Sequence, residues 1–130
     1  MTISLNAPDA ALLPCGVLDL KGLHDRCMGD VDLVQRVLKM FEERMPEELE
    51  TIERALQGLD TEQIARVAHR VKGTAASVSA GRLTQAAGEI EDAGREGRLA
   101  DLPAGVERLH DEWEKYLNCT AALLSTANRT

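Results

Sequence analysis

The stretch "DVDLVQRVLKMFEERMPEELETIERALQGLD", Asp30 to Asp60, decides the fold. Its apolar positions Val34, Leu38, Phe41, Met45, Leu49, Ile52, Leu56 and Leu59 recur every three or four residues, the spacing that lines one face of an α-helix. The register passes through Pro46 without a slip. Proline removes the hydrogen bond to the carbonyl four residues earlier, here that of Glu42, and normally bends a helix. Because the pattern survives it, the spacing predicts one long helix over about residues 30–58, bent near Met45, with Asp30 as its N-cap.

Leu18 to Cys27 reads as a short helix with Leu20 and Leu23 inward, and "MGD" at 28–30 as the turn after it. Downstream, "GLDTEQ" breaks the chain, with Asp60 or Thr61 as cap and Gln63 placed to reach back to it. A third helix runs to about Val78. After "SAGR", Leu83, Ala86, Ala87, Ile90 and Ala93 mark a fourth face that ends near Gly97. Asp101 and Pro103 open a last helix with inner positions Leu102, Val106, Leu109, Trp113, Leu117 and Leu124. No segment alternates with period two, and short loops between long amphipathic helices imply antiparallel neighbours. The expected fold is all-α, an antiparallel four-helix bundle with a short additional N-terminal helix, spanning residues 18–130. Residues 1–17, with two prolines and no sustained period, read as a flexible lead-in.

Composition narrows the possibilities further. A chain of 130 residues supports one modest core. Aromatic residues make up only 2%, so the interior must be built from Leu, Val, Ile and Ala, which favours close helix packing. A net charge of -7 with no basic run argues against nucleic-acid binding. No apolar segment is long enough for a signal peptide or a membrane span, so a soluble, cytoplasmic, monomeric protein is expected. Three cysteines, Cys15, Cys27 and Cys119, form no paired spacing, so reduced thiols are expected. His24 and Cys27 form half of a zinc-like pattern but lack a second pair, so no metal is expected.

The chemistry concentrates in "ARVAHRVKGTAAS", Ala65 to Ser77. On a helical wheel with Ile64 at zero, Ile64, Val67, Ala68, Val71, Ala75 and Val78 fall within roughly 60° of one another's mean, whereas His69 lies near ~140° and points outward. Ala65, Gly73 and Ala76, one turn to either side, are small. A solvent face ordinarily carries Glu, Lys or Gln, since Gly costs a helix about 0.5–1 kcal/mol relative to Ala. Lys72 flanks this cleared strip on one side, Arg66 and Arg70 on the other. An accessible imidazole is a competent nucleophile at neutral pH, and a phosphoryl group carried on it would be stabilised by a neighbouring ammonium. A lone exposed histidine is ordinarily just surface; here the outward phase, the Lys at i+3, the Gly at i+4 and the small neighbours occur together.

At "AHRVKGTA", Ala68 to Ala75, the chain resembles the histidine-containing phosphotransfer (Hpt) domains of multistep two-component phosphorelays. The resemblance extends over most of residues 18–97, including "LTQAAGEIEDAGREG" with its hydrophobic-Glu pair Ile90 and Glu91; the last helix matches in pattern only. It implies that His69 is the phosphorylation site, that Lys72 stabilises the phosphoryl group and that Gly73 keeps access open. Ala65, Arg66, Arg70 and Ala76 would then dock a receiver. One position departs: many members carry glycine ten residues after the histidine, where this chain has Ser79.

The implied function is a phosphorelay intermediate that takes a phosphoryl group from a receiver-domain aspartate and passes it to another receiver. It would be a carrier and not an autonomous kinase, with response-regulator receivers and a hybrid sensor histidine kinase as partners, no cofactor of its own and Mg2+ on the receiver. Two rival readings stand beside it. One is a helical scaffold that binds a receiver or kinase without carrying phosphate. The other is a hydrolase with His69 as general base, which needs an acid or nucleophile converging on His69, where the wheel places only small residues. His24 and His110 lack the Lys and Gly neighbours, and the acidic cluster around Glu42, Glu43, Glu47, Glu48, Glu50 and Glu53 reads as a solvated face.

Overall fold

The computed structural model describes residues 18–128, with side chains described through Ala121. The lead-in over residues 1–17 and the inward placement expected for Leu124 lie outside the described residues. Among the described residues, five α-helices follow in order: α1 (Leu20–Arg26), α2 (Val31–Gln57), α3 (Thr61–Ser77), α4 (Gly81–Glu96) and α5 (Leu102–Asn128), with one 3-10 turn, Leu99–Asp101, before the last. No strand occurs among the described residues. Cross-helix partners fix the directions. On α3 and α4, Ala65 meets Gly94, His69 meets Glu91 and Lys72 meets Gly88, so numbers fall on one helix as they rise on the other. On α2 and α5, Glu53 meets His110 and Phe41 meets Tyr116, which is antiparallel again. The expected bundle of four antiparallel helices with a short helix at the front is the fold observed.

Local chemistry explains where the helices begin. Asp19, Asp30 and Asp60 each accept a hydrogen bond from the backbone N–H three residues on, at Gly22 (3.0 Å), Leu33 (3.1 Å) and Gln63 (3.1 Å). Each such cap satisfies one of the donors a helix start leaves free. Helix α2 runs through Pro46 as a single element of 27 residues. Tertiary burial of Phe41, Met45 and Leu49 on either side of the proline holds it together.

The inner face differs from the expected one at two places. Leu59 is exposed, because the chain has already left α2 and turned into the left-handed region (φ 52°), and Ala55 closes the buried stripe instead. On α5, Leu117 is 37% exposed and Tyr116 is fully buried. The stripe advances by three from Trp113, not four, because the Tyr116 ring stacks on the Trp113 ring (5.1 Å, 10°) and both meet Phe41 edge-on at 5.3 and 5.7 Å. Edge-on and offset pairs add about 0.5–1.5 kcal/mol each beyond their burial. The three aromatic residues of the chain thus form one cluster between α2 and α5.

The turn after α3 answers the question Ser79 raised. Its φ is 61°, in the left-handed region that suits glycine. Ser79 is held there from both sides: its carbonyl accepts from the Asp19 N–H (2.9 Å), and its hydroxyl accepts from the Arg26 guanidinium. Helix α1 is thereby fastened to the α3–α4 turn. Of the cysteines, Cys27 is a buried free thiol, whereas Cys119 is disulfide-bonded. The expectation of reduced thiols holds for Cys27 and fails for Cys119, since an odd count without paired spacing carries no information about which thiols the fold brings together, and for Cys15 it lies outside the described residues.

Candidate functional site

The buried stripe of α3 is the predicted one: Ile64, Val67, Ala68, Val71, Ala75 and Val78 all lie in the core. This phase turns His69 outward, with 62% of its side chain exposed. A side chain at Gly73 would meet no atom within 4 Å, so the approach to the imidazole along α3 is open. Ala76 is exposed as well. Ala65 is not: it is buried against α4, where a Cβ at Gly94 would come within 3.2 Å of its own Cβ. The expected docking role of Ala65 is therefore corrected to helix packing. The wheel grouped it with the outward strip around His69, but the glycine opposite draws the two helices together over it.

Glu91 organises the site. It stands on the inner side of α4, only 6% exposed, and three cationic or polar groups converge on its carboxylate. His69 Nδ1 lies 2.9 Å from Oε2, Lys72 Nζ lies 2.8 Å from Oε1, and Arg95 reaches Oε2 from Nε (3.0 Å) and Nη2 (2.7 Å). Lys72 supplies the largest effect, followed by Arg95 and His69; together they overcome the opposing effect of burial and pull the Glu91 carboxyl from 4.5 down to about 2. A carboxylate that stays ionised can only accept, so Nδ1 carries the ring proton and Nε2 presents its lone pair to solvent. Gly88 lies beneath the stem of Lys72, where a Cβ would meet Cδ at 3.4 Å, so the lysine crosses α4 on a flat surface to reach Glu91.

The arginines expected to make this face positive are both neutralised. Arg70 forks onto Glu48 (Nε to Oε2 3.1 Å, Nη2 to Oε1 3.0 Å), and Arg66 faces Glu62 at 3.5 Å. Both are exposed, and their charge is shared within the protein. Glu42 also departs from the solvated face expected of it: burial pushes its carboxyl up despite the Tyr116 hydroxyl beside it. His24 lies 3.9 Å from Asp25, and His110 lies 2.9 Å from Glu53 on α2; neither is followed by a lysine at i+3 and a glycine at i+4.

Sequence reasoning quoted Glu91 as part of a pattern and assigned it no role. It also expected no acid near His69; the structure places one there. A signal was available, since Glu91 follows Ile90 at a buried phase, with Ala87 four residues before it and Gly94 three after. Its carboxylate lies on Nδ1, so it orients the imidazole from the side opposite Nε2. Among the described residues, no group of three or more His, Cys, Asp or Glu side chains is placed to hold a metal ion. No described helix is long and apolar enough to cross a membrane.

A family model described as "Hpt domain" matches residues 36–119. Among solved structures, the histidine-containing phosphotransfer protein MtHPt2 from Medicago truncatula superposes with a TM-score of 0.80 at 24% identity, covering 96% of this chain and 88% of that one. The histidine-containing phosphotransfer protein B (HptB) from Pseudomonas aeruginosa PAO1 superposes with a TM-score of 0.75, also at 24% identity, covering 88% of this chain and 97% of that one. At that identity the likeness shows a shared fold. No curated protein matches the sequence.

Proposed function

The chain belongs to the Hpt domain family, and on that premise we propose that His69 is the atom-level acceptor and donor of its phosphoryl group. Its role is that of a phosphorelay intermediate, and members of the family are phosphotransfer carriers, not kinases. Hpt domains work with receiver domains and histidine kinases in general. For this chain, the receivers of response regulators and a hybrid sensor kinase are the proposed partners, in the cytoplasm, with the protein acting as a monomer.

The observation that carries the assignment is the anchoring of Nδ1 by Glu91 on a ring that is 62% exposed, with open space over Gly73 one turn further along the helix. In the proposed step, the Nε2 lone pair attacks the phosphorus of a receiver aspartyl phosphate in line. The P–O bond breaks with its electrons going to the departing carboxylate. Such transfers depend on positioning and on neutralising the equatorial oxygens more than on covalent help. Lys72 is the neutralising group on this side, and the divalent cation belongs to the receiver. Gly73 and Ala76 give the receiver room, with Arg66 and Arg70 at the rim, where contacts set encounter more than strength. No autonomous kinase activity is expected of the domain.

The test is substitution at His69. The variant His69→Gln should take up no acid-labile phosphate from a phosphorylated receiver while its thermal transition stays within about 2 °C of the parent, as expected for an exposed surface change. Label retained by that variant would exclude His69. An unlabelled parent that still binds the receiver would favour a scaffold instead.

A further inference from the structure

The same contact has a consequence for the loaded state, and it rests on His69 being the acceptor. When Nε2 attacks with Nδ1 already protonated, the product ring carries one positive charge and still holds its Nδ1 hydrogen. Two outcomes are then open. If Nδ1 loses its proton to solvent, the later departure of the phosphoryl group must expel an imidazolate, a poor leaving group. If Nδ1 keeps the proton, the N–P electron pair returns to Nε2 and neutral imidazole leaves.

The geometry decides between them. Nδ1 is turned away from solvent onto Glu91 Oε2 at 2.9 Å, and the Glu91 side chain is 6% exposed. A deprotonated Nδ1 would set its lone pair against a carboxylate oxygen at hydrogen-bond distance, whereas a protonated one makes a charge-assisted bond to it. We propose that Glu91 holds the Nδ1 proton on His69 while the phosphoryl group is bound, which keeps that group transferable to the next receiver. The charged groups in contact with Glu91 are Lys72 and His69 from α3 and Arg95 from α4; among the described residues, α2 and α5 bring none within ion-pair distance. Lys72 carries three N–H donors and can bridge Glu91 and a phosphoryl oxygen. Arg95 stays on Oε2, so the carboxylate remains compensated when Lys72 shares itself. Glu91 is thus a positioning residue that acts through the imidazole.

The experiment loads the full chain with phosphoramidate, which needs no partner, and compares the parent with Glu91→Gln. Glutamine can still bond Nδ1, as acceptor or as donor, but does not favour the charged ring. The lifetime of phosphohistidine is followed by phosphorus NMR from pH 6 to 8.5, and the ring nitrogens by nitrogen-15 NMR, with His69→Gln to assign the signal. The parent should keep its Nδ1–H at pH 8.5 and decay at a nearly constant rate. The Glu91→Gln variant should lose that proton and last about tenfold longer at pH 8.5, because an opposite charge in contact shifts proton affinity by about one unit or more. A parent with Nδ1 unprotonated at pH 8.5 overturns the proposal even if the variant fails to fold, and so do identical pH profiles for the two proteins. Both results leave His69 as acceptor. A parent that takes no label on His69 removes the proposal and the functional assignment together.

Discussion

Glu91 and Glu42 are the same residue type in the same bundle, and their surroundings drive them in opposite directions. At the α3–α4 interface, Glu91 meets Lys72, Arg95 and His69 and is held ionised far below the ordinary carboxylate range. At the α2–α5 interface, Glu42 meets mainly the Tyr116 hydroxyl, and burial pushes it up. The first interface is made of small residues, with Ala65, Gly88 and Gly94 letting α3 and α4 lie close enough for side chains to cross between them. The second is made of the three aromatic rings. The difference teaches that stability and chemistry are assigned to separate seams: bulk on one, charge on the other.

That division is open to attack by substitution, and the largest effect belongs to the aromatic seam. Trp113→Ala should cost about 3–5 kcal/mol, as for other large aromatic truncations in cores. Phosphoryl uptake per folded molecule should be unchanged. Chemical denaturation and labelling of the same samples check both halves, and a selective loss of uptake would break the separation.

Lys72→Ala tests the charged seam. It should slow transfer from a phosphorylated receiver by about 10–100-fold, the equivalent of about 1.4–2.8 kcal/mol of transition-state stabilisation. Rapid-quench kinetics would register it, with Lys72→Arg recovering only part, since guanidinium and ammonium are not interchangeable.

Acid sensitivity sharpens the contrast between the two carboxylates. Glu91 titrates lower folded (about 2) than its ordinary 4.5, so it contributes stability that is present above pH 4.5 and is lost as pH falls toward 2. After allowance for the exposed partners, the contribution is about 1–2 kcal/mol. Denaturation midpoints between pH 6 and pH 2.5 should therefore fall less steeply in Glu91→Gln than in the parent.

The smallest effect is expected at Gly73. With open space around it, Gly73→Ala should raise helix stability by about 0.5–1 kcal/mol. The same methyl should slow transfer from a receiver more than uptake from phosphoramidate, because only the protein donor must lay a surface there. Equal rates from both donors would remove Gly73 from the interface.

The sequence displayed the fold and half of the site. Helical period is a local signal that located α1 to α5 and the buried stripe of α3 with His69 turned outward, and the aspartate caps Asp30 and Asp60 marked where α2 and α3 begin. Where a choice depended on a partner helix, the sequence was mute. Tyr116 wins over Leu117 only because two rings across the seam receive it. Ala65 is buried because Gly94 stands opposite, and Arg70 is neutralised because the register brings Glu48 alongside. Glu91 was visible as a charge at a buried phase, but its meaning required three groups from two helices to converge on it.

Three successive turns end their helices on a left-handed residue that is not glycine: Met28, Leu59 and Ser79. Each such conformation stores on the order of 1 kcal/mol, and none of the three touches His69 or Glu91 in any hydrogen bond or ion pair of the described residues. The corners of the bundle therefore hold slack that an engineer can take up without entering the relay. Heat tolerance and signalling traffic are, in this small protein, adjustable by different screws.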